Sequence, residues 1–152
     1  MVLTQILKSS CVKVPLEGKD KDSVIRELVE LLDSEKLLLD KDVVMDAVFT
    51  RERTRSTGIG SGIAIPHGKC NAVKELVMAF GVTGEPLDFE SVDGAPVSII
   101  ILLVSPADKT GPHIQALARI SRLMLDEQFR HSLEKAASSE QLYELLSSKE
   151  NE

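Results

Sequence analysis

Tryptophan is absent from these 152 residues, tyrosine occurs once, and aromatic residues make up 3% of the chain. The core must therefore be built mainly from Leu, Ile and Val rather than from large rings. Cysteine occurs only at Cys11 and Cys70, too few for a disulfide framework or for a four-ligand zinc site of their own. Two free thiols suit a reducing compartment. No basic–apolar–small leader opens the chain, and the longest purely apolar run, Ile99 to Val104, falls far short of the roughly 20 residues that span a bilayer. A cytoplasmic protein without direct membrane insertion is expected. Positive charge is also in deficit: 18 Lys and Arg face 24 Asp and Glu, a net charge of −6. That balance excludes general nucleic-acid binding, which needs a basic face, but leaves room for one locally basic spot that handles phosphate.

What is present reads as a globular α/β chain, 43% hydrophobic and 28% charged. Cys11 to Val14 reads as a short strand ended by Pro15. Asp20 opens a helix with Val24, Ile25, Leu28, Val29, Leu31 and Leu32 at helical spacing. Asp40 opens a second helix, with Val43, Val44, Ala47 and Val48 as its buried face and its end near Phe49 to Glu52. From Arg51 to Gly62 three arginines and three glycines crowd twelve residues, a texture that argues against regular helix. Ile63-Ala64-Ile65 reads as a strand stopped by Pro66, and Leu76–Val82 and Val97–Val104 read as buried strands. Helices follow: one with Ile114, Leu117, Ala118, Ile120, Leu123, Met124 and Leu125, one capped by Asp126 with Phe129 and Leu133, and one opened by the capping box Ser138-x-x-Gln141. The expectation is a single three-layer α/β domain over residues 1–152, a mixed β-sheet with helices on both faces.

Familiar nucleotide loops fail at Ile63. It occupies the third glycine position of a dinucleotide fingerprint and the first glycine position of a Walker loop ending at Gly68-Lys69, where Cys70 also replaces Ser or Thr. Gly60-Ser61-Gly62 has the wrong spacing for a hydrolase elbow, and the three histidines form no metal signature such as H-E-x-x-H. His67, in Ile65-Pro66-His67-Gly68, is held by the restricted backbone around Pro66, with Gly68 allowing the chain to turn away beside a glycine-rich loop with open N–H groups. Spacing alone leaves open a turn histidine that merely satisfies a hydrogen bond. His113 follows the strongest strand at a helix start, where anions are favoured and α/β proteins place their sites, although such a residue is also commonly a surface residue. His131 sits on a charged helix and reads as solvated. Arg51, at a helix end, could fork onto phosphate oxygens, whereas Arg53 and Arg55 read as a solvated loop. An imidazole near a guanidinium would suit a covalent phosphoryl intermediate, with the neutral ring attacking.

Glu52, Ile59-Gly60 and Ile63-Ala64-Ile65-Pro66-His67-Gly68 together resemble the phosphohistidine signature of the fructose/mannitol-type (type 2) enzyme IIA family of the bacterial sugar phosphotransferase system. Leu87-Asp88-Phe89, Asp93-Gly94, Leu102-Leu103-Val104 and His113 extend the resemblance along nearly the whole chain. It implies that His67 accepts a phosphoryl group, on Nε2, from the phosphorylated histidine phosphocarrier protein. It also implies that His113 orients that ring or bonds the phosphoryl and that Arg51 steadies its charge; with the nucleotide and metal signatures missing, no cofactor or metal is expected. Within the family, the absence of a IIB or IIC segment before Glu152 and Phe89 in place of a tryptophan lean towards the stand-alone nitrogen-regulatory type. A sugar-specific component feeding a separate IIB subunit, and a binding module switched by phosphorylation, are the alternatives. Oligomeric state and the downstream partner are not legible.

Overall fold

Strand β6 (Val97–Ser105) is buried at all nine positions. Successive side chains of a strand face opposite sides, so both sides of β6 are covered. The computed structural model describes residues 2–152, and the other strands there are β1 (Val12–Leu16), β2 (Gly58–Gly60), β3 (Ile63–Ala64), β4 (His67–Lys69) and β5 (Val77–Leu87). The helices are α1 (Lys21–Ser34), α2 (Lys41–Thr54), α3 (Thr110–Leu123), α4 (Glu127–Glu134) and α5 (Ser139–Glu150). The sheet is mixed, in the order β1-β5-β6-β3-β2. β5 runs antiparallel to β6, while β3 and β4 both run parallel to its other edge, β3 beside Ile99 and Ile100 and β4 beside Leu103 to Ser105. Helix α1 packs on α2 and on β5, α2 lies on β4, and α3, α4 and α5 cover the other face. The core is largely aliphatic, with Phe80, Phe89 and Phe129 as its large rings, and both cysteines are free. Among the described residues, no helix is long and apolar enough to cross a membrane.

Helix starts follow the sequence closely. The carboxylates of Asp20, Asp40 and Asp126 and the hydroxyl of Ser138 each accept a first-turn N–H, and Gln141 reaches back to the Ala137 N–H. Several interiors differ from expectation. β1 continues through Pro15 to Leu16, because an edge strand tolerates a residue without an N–H. Helix α2 runs on to Thr54, so Arg51 and Arg53 are helical, and its buried face is Val44, Val48 and Glu52, while Val43 is exposed. In α3 the buried stripe is His113, Ala116, Ile120 and Leu123; Ile114 and Leu125 are exposed. The apolar residues of this segment span too wide an arc for one face, and the i, i+3, i+7, i+10 row that faces the sheet begins with a histidine.

Glu52, 5% exposed, ties the end of α2 to the chain beyond it. Its carboxylate accepts from the Thr57 N–H at 2.9 Å and from the Thr57 hydroxyl, and pairs with Lys21 Nζ of α1 at 2.9 Å. Lys21 in turn lies 5.1 Å from the centre of the Phe89 ring. Replacing Glu52 by Gln removes the charge but keeps the shape, and should cost about 1–3 kcal/mol. The expected readout is a lower urea midpoint at an unchanged slope; an unshifted midpoint would show that this carboxylate does not hold the junction.

Candidate functional site

Two features of the backbone present His67. The ladder along β6 is interrupted at Ile65-Pro66, where β3 stops and β4 begins, with the Pro66 carbonyl accepting from the Leu103 N–H at 3.0 Å. His67 then begins β4, and its Nδ1–H donates to the Ile65 carbonyl at 2.7 Å. Gly68 does not turn the chain away. It is a ladder residue whose missing side chain lets α2 come close: a Cβ there would lie 3.2 Å from Val48 Cγ2 and 3.3 Å from the Val48 nitrogen. That approach brings the last turns of α2, with Arg51, beside the imidazole.

His113, the fourth residue of α3, lies opposite. It is 3% exposed, its ring centre is 5.3 Å from that of His67, and the two planes meet at 64°. Its Nδ1 is 2.7 Å from Oγ of Ser105, the fully buried last residue of β6. The two histidines, Arg51, Lys69, Ile114 and Leu117 line a cleft of about 610 Å³ at the carboxyl ends of β4 and β6, where open α/β sheets place their ligands. Arg51 Nη1 donates to the Arg55 carbonyl at 3.0 Å, which holds the guanidinium in place, and among the described residues no carboxylate forms an ion pair with it within 4.0 Å. Burial holds both imidazoles below the usual histidine range. The Ile65 carbonyl and Glu52 oppose that shift at His67, while Arg51 and Lys69 add to it. His113 is pushed down to about 4, first by burial and then by the charges at His67 and Lys69. Both rings are therefore biased towards the neutral form, in a cleft that Arg51, Lys69 and Asp46 also line.

The structure thus brings His67, His113 and Arg51 together and separates the other candidates. Arg53 and Arg55 are exposed on the opposite side of α2, where with Arg26 they line a second cleft of about 500 Å³. His131 is exposed beside Glu127, at 3.6 Å. The glycines from 58 to 62 form a hairpin, not an open cradle: the Gly58 N–H donates to Ser56 Oγ, the Ser61 N–H donates to Asp93, and none of these glycines reaches the cleft. In the sequence Lys69 stands out only as the end of a failed Walker loop, and Ser105 does not stand out as a site residue. Lys69 had a signal, since on a strand it shares a face with His67 two residues earlier. Ser105 had none beyond being the polar end of an apolar run.

The family model described as phosphoenolpyruvate-dependent sugar phosphotransferase system, EIIA 2, matches residues 5–149. The PTS system fructose-specific EIIABC component of Bacillus subtilis is 35% identical over 146 residues, covering 96% of this chain; this chain spans only 23% of that protein's length. The crystal structure of nitrogen regulatory protein IIA-Ntr from Neisseria meningitidis matches with a TM-score of 0.87 at 35% identity, over 95% of this chain and 98% of that one. The complex of enzyme IIAMTL and phosphorylated enzyme IIBMTL from Escherichia coli contains a chain of the same fold, with a TM-score of 0.80 at 20% identity over 93% of this chain and 99% of that one. The signature around His67 and the downstream residues through His113 all lie inside the matched region, and the chain belongs to the EIIA type 2 family of the phosphotransferase system.

Proposed function

We propose that residues 1–152 act as one IIA unit whose His67 accepts a phosphoryl group on Nε2 from a phosphorylated histidine phosphocarrier protein, and whose phosphorylated state is then used by a separate protein. The observation that carries this reading is the hydrogen bond from His67 Nδ1–H to the Ile65 carbonyl. A carbonyl only accepts, so the proton stays on Nδ1 and the lone pair is left on Nε2. In the transfer, that lone pair forms the new N–P bond while the bond from phosphorus to the donor's ring nitrogen breaks, and the donor nitrogen keeps the electron pair. His67 then carries substituents on both nitrogens and a positive ring charge, which the Ile65 carbonyl dipole stabilises. Arg51 suits the phosphoryl oxygens as a permanently charged fork, Lys69 adds a second positive charge, and His113 bounds the group from α3. The step needs neither metal nor cofactor.

The stand-alone nitrogen-regulatory type is the favoured role, a phosphorylation-state signal in the cytoplasm. Its support is the match to nearly the full length of the Neisseria IIA-Ntr chain. A second reading, a sugar-specific IIA passing its phosphoryl to a IIB subunit, has its support in the Bacillus fructose component and in the fold shared with the IIAMTL–IIBMTL complex.

Incubation with a phosphorylated phosphocarrier should place one acid-labile phosphoryl on the wild type and none on His67→Ala; transfer to that variant would sink the assignment. Arg51→Ala should fold normally and accept phosphoryl about 100-fold more slowly, the usual scale for losing one oriented charge stabiliser. Downward-shifted pKa values mean that the nucleophilic neutral ring persists into mild acid. An NMR titration of the ring protons should therefore give a midpoint below about 6.5 for His67 and near 4 for His113. A His67 midpoint at or above the free-histidine value would show that burial does not keep this ring neutral.

A further inference from the structure

Ser105 Oγ is fully buried, and its one hydrogen-bond partner among the described residues is Nδ1 of His113, at 2.7 Å. Two arrangements fit that distance. If His113 donated from Nδ1, the serine hydroxyl hydrogen would be left buried without an acceptor, which native structures avoid. If the hydroxyl donates, Nδ1 accepts with its lone pair, every buried polar group of the pair is satisfied, and the ring proton must sit on Nε2. Nε2 is the only ring nitrogen left for the cleft, and it makes no hydrogen bond to any described residue. We infer that Ser105 is a positioning residue: its hydroxyl holds His113 in the Nε2–H tautomer, opposite to that of His67, so that His113 offers a donor to the phosphoryl oxygens.

The two imidazoles then have complementary tasks, each set by the oxygen that meets its Nδ1. The Ile65 carbonyl accepts from His67 and makes its Nε2 a nucleophile; the Ser105 hydroxyl donates to His113 and makes its Nε2 a hydrogen-bond donor. With the proton on Nδ1 instead, His113 would face an anionic group with a lone pair and repel it. The assignment extends the phosphoacceptor reading of His67 and rests on it for its purpose, but not for the tautomer itself.

A nitrogen-15 correlation spectrum of the ring atoms, taken near pH 7 without any donor, should show the His113 proton on Nε2 and the His67 proton on Nδ1. Ser105→Ala, checked for an intact fold by circular dichroism, should lose the single His113 tautomer and accept phosphoryl at least about 5-fold more slowly, one oriented donor being partly lost. Ser105→Thr, which keeps the hydroxyl on a strand position that suits a β-branched residue, should restore both. A wild-type His113 protonated on Nδ1, or a Ser105→Ala protein with unchanged tautomer and rate, overturns the inference. Because the spectrum needs no donor, a wild type that never accepts phosphoryl defeats the phosphoacceptor reading instead, and the two failures are told apart.

Discussion

Strand β6 has no solvent-facing side, and the rest of the chain is arranged to keep it that way. Its nine residues are all buried, and seven of them are Val, Ile or Leu, each stabilised by roughly 1.5–3 kcal/mol on leaving water. One edge is taken by the long antiparallel β5, and the other by two short parallel pieces, β3 and β4, laid end to end. The helices then cover the faces. With β4 split from β3 by Ile65-Pro66, the strand that carries His67 starts where β6 is about to end, so the imidazole and Ser105 arrive at the same rim of the sheet.

At that rim, polar groups are placed by the needs of the core. His113 occupies a position on the stripe of α3 that a leucine would ordinarily fill, and its burial is tolerable because Ser105 satisfies one ring nitrogen. His67 is less buried but similarly anchored by the Ile65 carbonyl. Burial disfavours the charged form of both rings, while Arg51 and Lys69 place positive charge beside them. The close approach of α2 over Gly68, together with the Glu52 tie to Lys21 and Thr57, brings the guanidinium into reach. An acidic protein thereby places two positive side chains, Arg51 and Lys69, in the cleft of the two histidines.

Much of this was legible beforehand. The capped helix starts, the buried strand from Val97 and the motif from Ile63 to Gly68 could be read directly, because capping, strand propensity and proline constraints act over a few residues. The motif also led to the family, and so to His67, His113 and Arg51 as a group. What escaped was orientation. The α3 stripe was read among the aliphatic residues because a histidine does not look like a core residue until a buried serine is known to meet it. The glycine-rich segment looked like an anion loop, but its N–H groups are used by a hairpin and by Asp93. Gly68 looked like a turn and is a point of close packing.

The sequence by itself determined the capped helix starts, the long buried strands, the aliphatic core, the acidic balance and the histidine held beside Pro66, all properties of single residues or of neighbours within a turn of helix or a few strand positions. Only the tertiary structure decided that Lys69 and Ser105 join the site and which ring nitrogen of each histidine is engaged. Those outcomes depend on which face of α2 and α3 meets the sheet and on how β4 registers with β6. Both are fixed by packing between residues far apart in the chain, and local sequence carries no record of it.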